Sequence, residues 1–224
     1  MYWIVLHAWS GAKRSRDRPP DVRCRRERDP GRRRRGTERH VTALFETERL
    51  CMRLPAPEDA AAVADFYVRN RDHLQPWSPT LHPGLFSATF WAGEAERRLG
   101  DYHAGVEIRG FLFLRADPRR VVGNLSLTQI MRGALHACTL GYSLDVDAQG
   151  CGYMLEAVQG AVAYAFGPLG LHRVMADYMP RNRRSAAVLR QAGFVMEGYA
   201  REFLRINGRW EDHVLTAITN PDWR

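Results

Sequence analysis

The sequence predicts a mixed α/β (α+β) fold, a mostly antiparallel sheet with two helical crossovers. Three observations predict it. Short apolar runs of strand length recur with turn chemistry between them. At two places, near residues 140–166 and 173–192, a strand-like run leads through a polar turn into an amphipathic helix. Near the end, Asn207-Gly208 separates two strand-like runs, which is the strongest short hairpin signal in the chain.

The elements follow in order. Residues 50–54 read as a strand, and Pro57-Glu58-Asp59 opens a helix running to about Tyr67. Proline suits a first helical position and acids suit the positive end of the helix dipole. A second helical stretch covers 87–99. Residues 106–114 and 121–129 read as strands around a turn at Asp117-Pro118. Residues 136–144 form another strand, and the helix after it carries Leu155, Val158, Val162 and Phe166 as a core-facing stripe. Residues 173–179 are a strand, and 185–192 a helix that Gly193 ends as its C′ residue. Strands at 197–206 and 210–217 complete the pattern, and no internal repeat is present.

Composition bounds the function. At 224 residues, with 45% hydrophobic and 26% charged side chains, the chain suits one soluble globular domain. Thirteen of the 33 Lys and Arg and five of the 25 Asp and Glu fall in residues 1–40, so the leader carries the whole net charge of +8. Residues 41–224, the expected folded domain, are neutral overall, and the basic balance implies no basic face there. The leader has its apolar start before its basic run, the reverse of a secretory signal. A disordered tail of like charges fits it, as does translated upstream sequence with the true start near Val41. Both are preferred to a third reading, an RNA-binding arm built on Arg32 to Arg35. No later segment has the apolar length to span a membrane. Cys24, Cys51, Cys138 and Cys151 are scattered without zinc-like spacing, so a reduced, cytoplasmic setting and no metal are expected.

Residues 140–157 carry the most chemistry. A strand ending near Leu144 passes through Gln149, Gly150 and Gly152 into a helix. A helix start leaves backbone N–H groups unpaired, and no acid lies between Gln149 and Leu155 to occupy them. An anion seat is one reading; a turn needing glycine only for tight packing is the other.

Together with Asn182-Arg-Arg-Ser185, the run to Gly193-Phe194, and Glu197-Gly198, this stretch resembles the GCN5-related N-acetyltransferases. Their phosphate signature, Gln/Arg-x-x-Gly-x-Gly/Ala, fits Gln149 and Gly152, with Met154 departing from it. Thr47-Glu-Arg-Leu50, Leu74-Gln-Pro-Trp77, His136-Ala-Cys-x-Leu-Gly-Tyr142, His172-Arg173, Tyr178-Met-Pro180, Gly208-x-Trp210, Asp212-His213 and Asn220-Pro-Asp-Trp223 narrow the resemblance to the family's ribosomal-protein-alanine branch. It covers about residues 44–223. The resemblance implies a sheet of about seven strands with helices on both faces and a splayed strand pair that binds acetyl-CoA. It implies acetyl transfer to the N-terminal amine of a small-subunit ribosomal protein, met free or on the assembling subunit. The same fold acting on another amine, and a non-catalytic ribosome-associated module, are the alternatives.

What the family does with its motifs assigns residues. The strand end Tyr142-Ser143-Leu144 is expected to pair with the pantetheine arm and to present a backbone N–H to the thioester oxygen. Gln149, Gly150, Cys151, Gly152, Tyr153, Met154 and Leu155 are expected around the pyrophosphate. Asn182 is expected at the cofactor, with an N-cap as its structural alternative. Ser185 is the expected donor to the departing thiolate, helix-start packing being the alternative. Glu202 ranks first as general base and Asp212 second, while Asp177 lies where some relatives keep a base. Trp77 is expected at the peptide entrance, unless it is core. Arg183 and Arg184 suit a ribose phosphate or a solvated helix face, and His136 and His213 suit either proton relay or structural hydrogen bonding. Glu156 and Glu197 are expected to fix local structure, and Tyr142 to contribute mainly its backbone. Met154 is expected to crowd the turn, and Cys151 to leave out a basic phosphate partner.

Overall fold

The computed structural model describes residues 43–224. The basic leader lies outside the described residues. Eight strands form one sheet: β1 (Ala43–Glu46), β2 (Leu50–Arg53), β3 (Ile108–Leu114), β4 (Asp117–Met131), β5 (Ala137–Leu144), β6 (Arg173–Tyr178), β7 (Val195–Ile206) and β8 (Arg209–Thr219). Their spatial order is β1-β2-β3-β4-β5-β6-β8-β7. Every neighbouring pair is antiparallel except β5 and β6. The strand beyond the expected seven is β1, too short to show a period of its own. Among the described residues five α-helices accompany the sheet: α1 (Ala60–Arg69), α2 (Arg71–Leu74), α3 (Ala88–His103), α4 (Tyr153–Phe166) and α5 (Arg183–Gln191). The parallel pair forces α4 to be a crossover connection.

Helices lie on both faces. On β4, Asn124 donates to the hydroxyl of Tyr67 in α1 (3.1 Å). Tyr142 of β5 stands opposite Leu125, the next residue of β4 and therefore on the other face, and its hydroxyl meets Ser185 of α5. Under α1 and α3, Tyr67 stacks on Trp91 (5.4 Å) and Trp91 meets Phe111 edge-on (5.3 Å). Trp91 satisfies its own N–H on Leu85 O at 2.9 Å, so its burial leaves no polar debt.

Several expectations need correction. The turn placed at Asp117-Pro118 lies one dipeptide earlier. Asp117 and Pro118 begin β4, in an irregular stretch where Leu114 faces Asp117 but Phe113 faces Val121. Pro118, lacking an N–H, is tolerated at such a bulge. In α4 the buried face is Met154, Ala157, Val158, Ala161, Val162 and Ala165, rotated from the expected stripe. Gly160 lets α4 approach β1 closely: a Cβ there would stand 2.6 Å from the Phe45 ring. Met154 is buried in the core cluster. The hairpin is as expected, with Asn207 and Gly208 both at positive φ (45° and 82°), as a type I′ turn demands.

Candidate active site

The parallel pair opens as it rises. β5 and β6 are paired only from Ala137–Arg173 to Thr139–Met175, and beyond Thr139 no strand among the described residues pairs with β5 on that side. On the α5 side of this opening lies a cleft of about 420 Å³. Tyr142, Leu144, Gln149, Gly150, Gly152, Tyr153, Met154, Leu155, Arg184 and Ser185 all line it. The cleft thus brings together most of the residues read from two separate blocks of sequence.

Its floor is the start of α4. Gly150 and Gly152 adopt φ of 79° and 78°, which only glycine takes readily. Gly152 is the N-cap and offers no side-chain cap, and the first backbone bond of α4 is Glu156 N–H to Gly152 O (3.2 Å). The amides of Met154 and Leu155 therefore precede the helical ladder, where the dipole favours an anion.

The turn is braced at both ends. On one side Arg69 reaches the fully buried Asp145 (2.8 Å), and Asn70 accepts from Val146 N–H (2.9 Å). On the other, Glu156 accepts from Thr47 Oγ1 (2.5 Å), from Arg49 N–H (2.8 Å) and from Arg49 Nε (2.7 Å). Arg49 also donates to Cys151 O (2.8 Å) and covers the Tyr153 ring (4.6 Å). Burial raises the Glu156 carboxyl, but its bonds to Thr47 and Arg49 outweigh that and hold it below the usual range. The Thr47-Glu-Arg-Leu50 motif, seen in the sequence only as a family feature, is thus the clamp on the turn. Glu156 fixes local structure, as expected. Cys151 contributes a carbonyl to this clamp and does not line the cleft.

Side chains close the upper wall. Tyr142 and Ser185, both buried, share a hydrogen bond of 2.6 Å, and burial pushes the phenol well above its ordinary value. Tyr142 therefore offers more than backbone. Asn182 accepts from Ser185 N–H (3.0 Å) as the N-cap of α5, while its own Nδ2 is buried without a partner among the described residues. Cap and free amide donor coexist in one side chain. Gln149 joins His73 (2.8 Å) and accepts from Arg184, and burial with Arg184 nearby lowers the imidazole's proton affinity. His73 escaped sequence reading because nothing local links residues 73 and 149.

The remaining expectations fall elsewhere. Ser143 faces away from the cleft, toward α1, since it pairs with Asn124. Trp77 is 2% exposed, beneath the Arg181 guanidinium at 4.5 Å, and borders none of the three main cavities. A peptide cannot touch a ring so deeply covered. Glu202 is exposed on a bulge of β7 with φ of 48°. Asp212 holds that bulge by accepting from Glu202 N–H (2.8 Å) and Tyr199 OH (2.6 Å). Both carboxylates are therefore displaced from the cleft, and Asp212 is occupied structurally. Asp177 is different: half-buried on β6 beside the opening, its carboxyl is pushed up to about 6 by burial. His136 and His172 meet the Trp223 ring at tilted angles of 54°, and the Trp223 N–H bonds Gly170 O, forming a terminal clasp remote in sequence from the cleft motifs. Among the described residues no cluster of three or more His, Cys, Asp or Glu could hold a metal ion, and no helix is long and apolar enough to cross a membrane.

A splayed parallel pair beside a glycine-bearing helix start defines an acyl-CoA-binding class of transferase. The acetyltransferase (GNAT) domain family matches residues 49–195, and the chain belongs to that family. Within it, the chain is similar to the [ribosomal protein uS5]-alanine N-acetyltransferase of Escherichia coli (strain K12), at 40% identity over 180 residues, covering 79% of this chain and 91% of that one. The ribosomal-protein-S5-alanine acetyltransferase of Vibrio fischeri superposes with a TM-score of 0.76 at 38% identity, over 80% of this chain and 98% of that one. Mycobacterium smegmatis RimJ, solved with CoA-disulfide, gives 0.71 at 28% identity, over 76% and 81%.

Proposed function

We propose that this chain transfers the acetyl group of acetyl-CoA to the N-terminal alanine amine of ribosomal protein uS5, by direct attack in a ternary complex in the cytoplasm. One observation carries the reading: the Tyr142–Ser185 pair and the uncapped start of α4 meet in a single cleft beside the unpaired edge of β5. The 40% identity to the Escherichia coli enzyme across nearly its whole length supports the acceptor.

The residues present fit the cosubstrate. Backbone N–H groups from Gly150 to Leu155 would hold the pyrophosphate, with Gln149 and Arg184 beside them. The Asn182 amide, buried without a partner, supplies a donor that a bound amide or phosphate oxygen would satisfy. The edge of β5 at Tyr142, Ser143 and Leu144 would pair with the pantetheine arm. Bound acetyl-CoA supplies an activated acyl carbon. Ser185, backed by the Tyr142 phenol, donates a proton to the departing sulfur. Asp177, ionised above about pH 6, offers negative charge to the arriving ammonium group. An N-terminal amine, with a pKa near 7.7–8.0, is roughly one-tenth neutral at pH 7, so base assistance need only be modest.

Residues 41–224 carry this activity and the leader is dispensable to it. The test is release of CoA with a short alanine-leading peptide against its N-blocked twin. Turnover with the free peptide alone supports the reading. Calorimetric silence toward CoA, or equal turnover with both peptides, removes it.

A further inference from the structure

Side chains from the junction of α1 and α2 hold the stretch between the end of β5 and the cleft glycines. Arg69 donates to the Asp145 carboxylate (2.8 Å), and Asn70 accepts from Val146 N–H (2.9 Å). Both Asp145 and Asn70 are fully buried, so this part of the grip is internal to the fold. His73 extends the same grip to the cleft itself. Its ring bonds the Leu144 carbonyl at the end of β5, and its Nε2 lies 2.8 Å from Nε2 of Gln149. Gln149 in turn accepts from Arg184 of α5, and Leu144, Gln149 and Arg184 all line the cleft.

The hydrogens along this chain of contacts follow from the chemistry of its members. A guanidinium only donates, so Gln149 turns Oε1 to Arg184 and its amide nitrogen to His73. That nitrogen also only donates, so His73 Nε2 is a bare acceptor. The single hydrogen of the neutral ring is then on Nδ1 and goes to the Leu144 carbonyl. Burial lowers the proton affinity of the imidazole, as does the Arg184 guanidinium, against the Leu144 carbonyl and the Asp145 carboxylate. The net lowering keeps the lone pair free at pH 7. With the Gln149 amide turned over, its NH₂ would face the guanidinium, donor against donor, and its oxygen would face a ring nitrogen that carries no hydrogen.

We propose that His73 is a positioning residue for the cosubstrate, holding the Gln149 amide in the one orientation that both tethers Arg184 and leaves an amide hydrogen for a phosphate oxygen of CoA. This deepens the acetyl-transfer reading and rests on its acyl-CoA cleft. Of the two hydrogens on Gln149 Nε2, one goes to His73 and the other has no partner among the described residues. Arg184 is long and exposed, and an untethered arginine loses much rotamer freedom when a ligand orders it. Tethering it to a fixed amide before CoA arrives removes part of that cost, which is pre-organisation.

Two variants separate this role from packing. His73→Asn keeps a donor near the Nδ1 position for the Leu144 carbonyl but offers nothing at Nε2. His73→Gln places an amide oxygen near the Nε2 position, where Gln149 can donate to it. CoA binding is measured by calorimetry on the full chain, and turnover with an alanine-leading peptide. His73→Asn is expected to weaken CoA binding about ten-fold and to raise the KM for acetyl-CoA in step, with kcat at saturation within about two-fold of wild type. His73→Gln is expected to recover the affinity to within about three-fold of wild type. In a Gln149→Leu background, His73→Asn should add no further loss, since both act through one amide. Unchanged affinity in His73→Asn, equal losses in the two His73 variants, or losses that add in the double variant each overturn the proposal. Should the variants not fold, the wild-type ring decides: nitrogen NMR of the imidazole should show Nδ1 protonated and Nε2 bare, and a hydrogen on Nε2 overturns the proposal. A wild type that is calorimetrically silent toward CoA sinks the acyl-CoA reading itself.

Discussion

Replacing Asp177 by asparagine separates what the carboxylate costs the fold from what it does for the acceptor. Burial raises this carboxyl from 3.8 to about 6. The folded protein thus holds the proton more tightly than the unfolded chain. Its contribution is fully present below the unfolded value and is lost as pH rises through about 6. Above pH 6 the ionised group opposes folding by about 3 kcal/mol, an upper bound because partial solvation relieves it. The asparagine variant escapes that opposition, so at pH 8 it should melt about 6–12 °C above wild type. About half of the difference should develop between pH 5 and pH 8. Urea unfolding of both proteins at the two pH values measures it. Meanwhile the KM for an alanine-leading peptide should rise on the order of ten-fold as the attraction for the ammonium group disappears. A stability difference of constant size across that range, or a variant less stable than wild type at pH 8, would refute the argument that burial and not hydrogen bonding governs this group.

Other expectations follow from the same geometry. Ser185→Ala should lower kcat on the order of 100-fold while leaving acetyl-CoA affinity unchanged by calorimetry, since it removes a donor used only as sulfur departs. Glu156→Ala leaves Arg49 without its carboxylate and the turn unclamped; CoA affinity should fall about ten-fold with a loss of about 2 kcal/mol in urea unfolding. Gly160→Ala forces a Cβ against the Phe45 ring and should cost about 1–3 kcal/mol without altering the KM for acetyl-CoA. Deleting residues 1–40 should leave peptide turnover within about two-fold of the full chain; abolished turnover would assign the leader a role in catalysis.

Local chemistry was legible and parity across strands was not. The glycine turn at 150 and 152, the Asn207-Gly208 turn and the Asn182 cap, one of two alternatives for that residue, each depend on a few neighbouring atoms that lie close in the sequence. Glu202 and Asp212 misled because β7 carries extra residues between Ala200 and Leu204, and a bulge shifts which side a side chain takes. Trp77 misled because the direction of a side chain on a single 3₁₀ turn is decided by what packs over it, here Arg181. The α4 stripe was misread by weighting large apolar residues, where the buried face is half alanine. That Asp177 and His213 share a face emerges only from the β6–β8 register, since 36 residues separate them in the chain.

The bulge in β7 has a consequence for solubility. β7 is the last strand of the sheet, with Val195, Met196 and Tyr199 more than half exposed along it. A flat apolar border of that kind invites further chains to add on, strand by strand, until the protein leaves solution. By holding Glu202 N–H and the Tyr199 hydroxyl, Asp212 fixes the bulge that bends that border out of line and spoils it as a template. The acid first suspected of chemistry is better understood as a guard against aggregation.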